Sequence, residues 1–353
     1  MADSNTVLYN TLSDKEREKL IDLAGKERIT LSFYKYHQNE NVNAFCDHLF
    51  LTWNALDVLG RIYVANEGIN AQLSVPADRF QEFKKHLDGF PFMREMRLNI
   101  AVEQDNKSFL KLKIKVRRKI VADGIEDKNF DVTRSGPHLR AQEFNELIAN
   151  PDTVLVDMRN HYESEIGHFD GAITPEVETF RESLDIVTDN LRDQAKDKNV
   201  VMYCTGGIRC EKASAYFMHK GFEKVFQLDG GIIEYLRQVK SEGLENKFKG
   251  KNFVFDRRLA ERISNDVVSA CHLCDAPSDH HQNCRNNACN VLLILCPACR
   301  ERLQDCCSEP CREIAALPRV VQKEMRKGYS APKRYFKREK KPAVEATSVI
   351  TAS

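Results

Sequence analysis

Asn199-Val-Val-Met-Tyr-Cys-Thr-Gly-Gly-Ile-Arg-Cys210 is the stretch whose reading decides the fold. The apolar run Val200 to Tyr203 predicts a buried strand that ends on Cys204. Two glycines and Arg209 follow. A helical pattern then starts near Cys210 and runs to Lys220. Cys204 therefore sits at the C-terminal end of a strand and faces the start of a helix. The first turn of a helix has free N–H groups and a partial positive charge. Gly206 and Gly207 can turn successive N–H groups inward as an anion-holding nest. Arg209 adds a full charge. Each effect favours thiolate over thiol, so Cys204 is a candidate low-pKa nucleophile. The plainer alternative is a buried structural cysteine beside a glycine turn.

The flanking sequence extends this reading. Val154 to Asn160 is a strand ending in Asp157-Met-Arg159. Tyr162-Glu163, Gly167-His-Phe-Asp-Gly-Ala-Ile173 and Leu228-Asp-Gly-Gly-Ile232 follow in order. Together these motifs resemble the rhodanese domain over roughly residues 138–243. Only four residues separate Cys204 from Arg209. A cysteine-type phosphatase loop needs one more, so the length favours a persulfide or another small adduct. Strands at 153–157 and 199–203, separated by helical stretches, imply a parallel sheet, and such sheets place ligands at the C-terminal ends of their strands. A helix around Ala141–Ala149 opens the domain.

The 353 residues lead one to expect two or three domains. The net charge of +1 carries no global signal, but residues 312–341 hold eleven Lys or Arg against three Glu. That asymmetry points to an anionic partner near the C-terminus. No basic-then-apolar leader opens the chain, and the run Val291 to Cys296 is too short to span a membrane. A cytoplasmic protein with no membrane association is expected.

Upstream, Ser13-Asp-Lys-Glu16 reads as a capping box opening a helix to Ala24. Residues 27–120 read as an N-terminal ferredoxin-like (acylphosphatase-like) α/β sandwich. Its strands are expected at Ile29–Lys35, Arg61–Ala65, Asn70–Val75, Arg97–Val102 and Phe109–Val116. Its helices are expected at Val42–Asp57 and from a first turn at Pro76 to Leu87. Cys46 reads as core. Lys111, Lys113 and Lys115 alternate with apolar residues and share one face; Arg117, Arg118 and Lys119 extend the charge. A phosphate-contacting surface and an edge strand protected by lysine both fit. Residues 121–137 read as a linker.

Nine of the twelve cysteines fall between 271 and 311, which suggests metal binding before disulfides. Cys271, Cys274, Cys296 and Cys299 form two Cys-x2-Cys knuckles suited to one zinc. Cys284, Cys289, Cys307 and Cys311 are candidates for a second metal in a cross-brace, with an iron–sulfur cluster as a weaker alternative. His272, His280 and His281 are substitute ligands. A Cys-rich, zinc-like module over 244–315 is followed by a basic helix and tail over 316–353, the helix ending near Lys327. There Lys333, Arg334, Lys337 and Arg338 flank Tyr335 and Phe336, a mixture suited to contacting phosphates and stacking on bases; a solvated tail is the alternative.

The combination is more telling than any part. Arg61-Ile-Tyr-Val-Ala-Asn-Glu-Gly-Ile-Asn70, the Cys204 to Lys212 loop and the cysteine cluster together resemble the bacterial tRNA uridine(34) hydroxylase family over about residues 28–315. The resemblance implies an oxidoreductase that converts the wobble uridine of tRNA to 5-hydroxyuridine. O2 is its co-substrate, tRNA its partner and Cys204 its essential thiol. Arg209 is then assigned to thiolate or substrate stabilisation. The backbone of Thr205, Gly206, Gly207 and Ile208 forms the cradle, with Asp157 and Arg159 as supports, for which a plain intradomain ion pair is an equally good reading. Cys210 is a candidate to resolve an oxidised Cys204, and simple packing explains it as well. No Gly-x-Gly-x-x-Gly motif for a flavin or NAD is present. Without the family resemblance, a rhodanese-type sulfurtransferase carrying a persulfide on Cys204 is the preferred reading. A zinc- and RNA-binding scaffold is the third.

Overall fold

A computed structural model describes residues 12–192, 197–328 and 334–336. The chain forms two compact units, residues 1–269 and 270–353.

In the first unit, α1 (Asp14–Ala24) opens on a Ser13–Glu16 capping box and stops at Gly25 in the left-handed region. Then come β1 (Arg28–Tyr36), α2 (Val42–Ala55), β2 (Leu59–Ala65), β3 (Gly68–Pro76), α3 (Phe80–Asp88), β4 (Asn99–Ile100) and β5 (Leu112–Val116). The sheet order is β4-β1-β3-β2-β5, with only β5 joining parallel. Pro76 ends β3 opposite Arg28 and is also the N-cap of the helical turn Ala77–Arg79 that runs into α3, within one residue of the expected opening; the Ala77 N–H still bonds the Glu27 carbonyl. The strand expected over 97–102 is cut to two residues. Past it, the Val102 N–H donates to the Glu261 carboxylate (3.0 Å) rather than to a strand. Cys46 is half-buried on α2, not in the core.

Period-two alternation gives this sheet two unlike faces. Leu31 and Phe33 join Trp53 and Phe83 in the core under the helices. Burying each such side chain contributes about 1.5–3 kcal/mol. On the other face stand Ser32, Tyr34 and Tyr36. The register sets Asn99 opposite Ser32, Asn70 opposite Tyr34, Tyr63 opposite Asn70 and Lys115 opposite Tyr63.

The chain continues with β6 (His138–Leu139), α4 (Ala141–Ile148), β7 (Thr153–Asp157), α5 (His161–Ser164), β8 (Gly167–Phe169) and α6 (Phe180–Leu191). After these come β9 (Asn199–Tyr203), α7 (Ile208–His219), β10 (Val225–Leu228) and α8 (Gly231–Glu242). The parallel sheet β6-β10-β9-β7 carries a core on each face. β11 (Phe248–Phe253) and β12 (Ala260–Arg262) build a small antiparallel sheet with β8. Residues 121–137, read as a linker, contain neither helix nor strand. Val121, Ile125 and Phe130 nevertheless pack against the α6/α7 side of the parallel sheet, and Asp123 is buried.

The second unit holds β13 (His281–Asn283), β14 (Leu292–Ile294), α9 (Pro297–Leu303), α10 (Glu309–Ala316) and α11 (Arg319–Met325). Cys271, Cys284, Cys296, Cys299 and Cys306 contribute to its core beside Leu293 and Leu295. Among the described residues, no helix is long and apolar enough to cross a membrane.

Candidate active site

Cys204 leaves the end of β9 fully buried. Its Sγ accepts the Gly207 N–H at 3.2 Å. Gly207 takes φ +96°, a conformation that suits glycine, to aim that N–H at the sulfur. Burial pushes the Cys204 thiol up. The Cys210 S–H, the Arg209 charge and the N–H groups of Cys210 and Arg209 outweigh it and bring the thiol down to about 6. Cys210 moves the other way, well above the ordinary thiol range, because it is buried and donates to Cys204. Gly207, within the cradle expected over Thr205–Ile208, is thus joined by donors slightly later in the chain. The donors are Gly207, Arg209 and Cys210, at the first turn of α7.

Arg209 is clamped by Glu163 in a two-point ion pair (2.6 and 2.8 Å) and reaches Thr205 Oγ1 at 3.4 Å. Burial would lower its pKa, but Glu163 outweighs that and holds it further up. The Asp157–Arg159 pair is fully buried (2.6 Å). Arg159 also donates to the carbonyls of Gly167 (2.6 Å) and Glu163 (3.5 Å), bracing the turn that presents Glu163. The N-terminus of α8 closes the loop from behind. The Ile232 N–H donates to the Cys204 carbonyl at 3.0 Å. A Cβ on Gly231 would lie 2.5 Å from that same carbonyl oxygen.

The outer face of the loop meets the polar face of the N-terminal sheet. Tyr36 Oη donates to the Ile208 carbonyl (3.3 Å), Tyr34 Oη to Glu211 (3.2 Å) and Asn99 Nδ2 to the Gly206 carbonyl (3.4 Å). Arg97 grips Asp229 at 2.5 and 2.6 Å. Lys212, buried in α7, binds Glu67 (2.7 Å) and Asp123. Between these layers lies a cleft of about 320 Å³, lined among others by Tyr34, Tyr36, Arg97, Asn99, Gly206 and Glu211. The cleft reaches the loop at Gly206, two residues past the buried Cys204.

In the second unit all cysteines are free of disulfides. The sulfurs of Cys271, Cys274, Cys296 and Cys299 lie within 4.8 Å of one another, and so do those of Cys284, Cys289, Cys307 and Cys311. Four thiolates around a tetrahedral zinc at ~2.3 Å stand about 3.8 Å apart, so both sets fit a metal. Asn286 Nδ2 donates to Cys311 Sγ (3.3 Å) and the Cys307 N–H to Cys284 Sγ (3.4 Å), contacts that suit thiolates. Neither set includes His272, His280 or His281; His272 stacks on Phe336.

Of the basic residues singled out, Lys113, Lys115, Arg117, Arg118 and Arg334 are exposed. Lys111 is tied to Asp14 at 2.9 Å, and Arg117 lies over the Tyr63 ring. Lys333, Lys337 and Arg338 lie outside the described residues.

Comparison with known proteins agrees with this organisation. Residues 28–120 match the UPF0176 acylphosphatase-like domain, 140–238 the rhodanese-like domain and 249–312 the rhodanese C-terminal domain. A tRNA uridine(34) hydroxylase of Yersinia enterocolitica is 51% identical over 95% of both chains. One from Leptospira interrogans is 50% identical over 94% of this chain and 90% of its own. The chain belongs to the tRNA uridine(34) hydroxylase family.

For a member of this family, several residues at the cleft escaped the sequence reading. Glu163 was visible only as part of a motif. Tyr34, Tyr36 and Asn99 come from another part of the chain. The one signal for the two tyrosines is the alternation Ser32, Tyr34, Tyr36 against Leu31, Phe33, which marks a sheet face too polar for core. The thiolate makes a direct expectation. Alkylation of Cys204 by iodoacetamide, followed by peptide mass spectrometry, should rise with pH through a midpoint near 6 and level off above it. Cys210→Ala and Arg209→Met each remove a group that favours the thiolate, so each should move the midpoint upward. A wild-type midpoint in the ordinary range of about 8.5 would contradict the geometry.

Proposed function

We propose that this chain hydroxylates uridine 34 of tRNA at C5, with O2 as co-substrate and Cys204 as the reactive thiol. The relationship to hydroxylases of that name over nearly the whole chain carries the reading. The site supports it with a nucleophile near neutral pKa beside a cleft of nucleotide size. In the reaction, uridine, O2 and two reducing equivalents give 5-hydroxyuridine and water. Addition of the Cys204 thiolate to C6 of the uracil makes C5 nucleophilic toward oxygen. After the O–O bond is reduced, loss of the C5 proton expels Cys204. Arg209 keeps the sulfur ionised before addition and after release, and Glu163 fixes Arg209. The sulfur is buried against Gly207, so addition requires that residue, which has no side chain to obstruct the movement, to shift aside. Lys113, Lys115, Arg117, Arg118 and Arg334 are assigned to tRNA phosphates, supported by their exposure. The enzyme works where tRNA does, in the cytoplasm.

We assign one zinc to Cys271, Cys274, Cys296 and Cys299, and a second to Cys284, Cys289, Cys307 and Cys311. Bound there, zinc supplies a structural cross-link. Elemental analysis of the purified chain should find two zinc ions per molecule. Cys296→Ser and Cys307→Ser should each remove one. An iron signal, or a metal-free folded protein, would contradict the assignment.

The function is tested by nucleoside mass spectrometry of tRNA from cells lacking this protein. 5-Hydroxyuridine and its derivatives should vanish, return with the wild type and stay absent with Cys204→Ala. Restoration by Cys204→Ala would sink the role of the thiol. A fall in thiolated nucleosides alone would instead identify a sulfurtransferase.

A further inference from the structure

Asn99 stands at the point where the N-terminal sheet touches the Cys204 loop. It is 6% exposed and lines the cleft. Its Nδ2 is committed to the Gly206 carbonyl at 3.4 Å. Its Oδ1 is buried and has no hydrogen-bond partner among the described residues. A buried amide oxygen without a donor is destabilising, so its retention calls for an explanation. The other polar groups nearby are already engaged: Tyr34 with Glu211, Tyr36 with Ile208, Arg97 with Asp229. Burial and the neighbouring Glu211 charge push the Tyr34 phenol well up, so it remains a protonated donor.

We propose that this cleft is the receptacle for a single extruded pyrimidine nucleotide, and that Asn99 Oδ1 reads the N3–H of its uracil. The inference rests on the hydroxylase reading and adds to it the residue that selects the base. Enzymes that act on a nucleobase take it out of the stack and read its Watson–Crick edge. Uracil presents an N–H donor at N3; cytosine presents an acceptor there. An asparagine amide that is free to rotate could serve either base. Here the hydrogen bond from Nδ2 to the Gly206 carbonyl fixes its orientation and leaves the oxygen as the unpaired acceptor. Cytosine would set two acceptors against each other. The same bond links recognition to chemistry, because Gly206 belongs to the loop that covers Cys204. The rings of Tyr34 and Tyr36 give the base apolar surface.

The experiment compares full-length wild type and Asn99→Ala for binding to two tRNA transcripts that differ only in U34 or C34. Wild type should favour U34 by roughly tenfold or more, as expected for a well-made base-edge contact. Asn99→Ala should bring the ratio close to one while leaving binding to the C34 transcript unchanged. Asn99→Ser, whose shorter side chain cannot reach the same point, should lose the ratio as well. It guards against a folding defect, as do the thermal midpoints of both variants. A preserved U34 preference in either folded variant overturns the assignment of Asn99. If that occurs while wild type still restores 5-hydroxyuridine to tRNA in cells, only this inference fails. If wild type restores none, the hydroxylase reading fails and this inference falls with it.

Discussion

The ammonium of Lys212 is buried on α7 between the carboxylates of Glu67 and Asp123. Glu67 sits in the turn between β2 and β3. Asp123 belongs to the segment that joins the two sheets. Lys212 lies four residues past the first residue of the helix that begins at the Cys204 loop. One charge cluster therefore fixes the N-terminal sheet, the joining segment and the reactive loop relative to each other. Removing one partner from such a buried cluster typically costs about 3–5 kcal/mol, because the remaining charges stay buried. The cleft exists because this constraint brings the polar face of one sheet to the strand ends of another.

Within that frame, the reactive thiol is a balance of opposed effects. Full burial alone would make Cys204 an inert thiol. The N–H groups at the start of α7, the Cys210 S–H and the Arg209 charge reverse that. Arg209 in turn is held by Glu163, and the turn presenting Glu163 is braced by Arg159. The layers behind the sulfur thus set its charge, while the layer in front, from a separate part of the chain, forms the cleft. The two layers meet at Gly206 and Gly207, so the proposed reaction would divide recognition and reactivity between the two sheets.

The half of the site that is local in sequence was legible, and the half made by tertiary contact was not. A strand ending on Cys204, a glycine turn and Arg209 lie within a dozen residues, and each has a local physical meaning. The set Cys271, Cys274, Cys296 and Cys299 was readable because Cys-x2-Cys spacing follows from tetrahedral geometry, and the second set because its two pairs, Cys284/Cys289 and Cys307/Cys311, alternate with the first along the chain. Asn99 carries no such signal. It lies in a two-residue strand, and its importance comes from being opposite Ser32 and against Gly206. Lys212 read as part of a motif, but nothing nearby in sequence announces its partners Glu67 and Asp123. Residues 121–137 had the composition of a linker, yet Asp123, Ile125 and Phe130 are held in place by groups distant in the chain.

The central claim is that Cys204 acts directly on the base held in this cleft. The most direct measurement is peptide mapping after incubation with a tRNA carrying 5-fluorouridine at position 34. Fluorine at C5 activates C6 toward the thiolate, and with O2 withheld no hydroxyl forms on C5 to expel the fluoride, so a covalent C6–S adduct should accumulate. The account requires that RNA to be found on the peptide containing Cys204, and to be absent when Cys204→Ala is used. An adduct at a different residue, or no adduct with a preparation that hydroxylates uridine 34 once O2 is supplied, would contradict it.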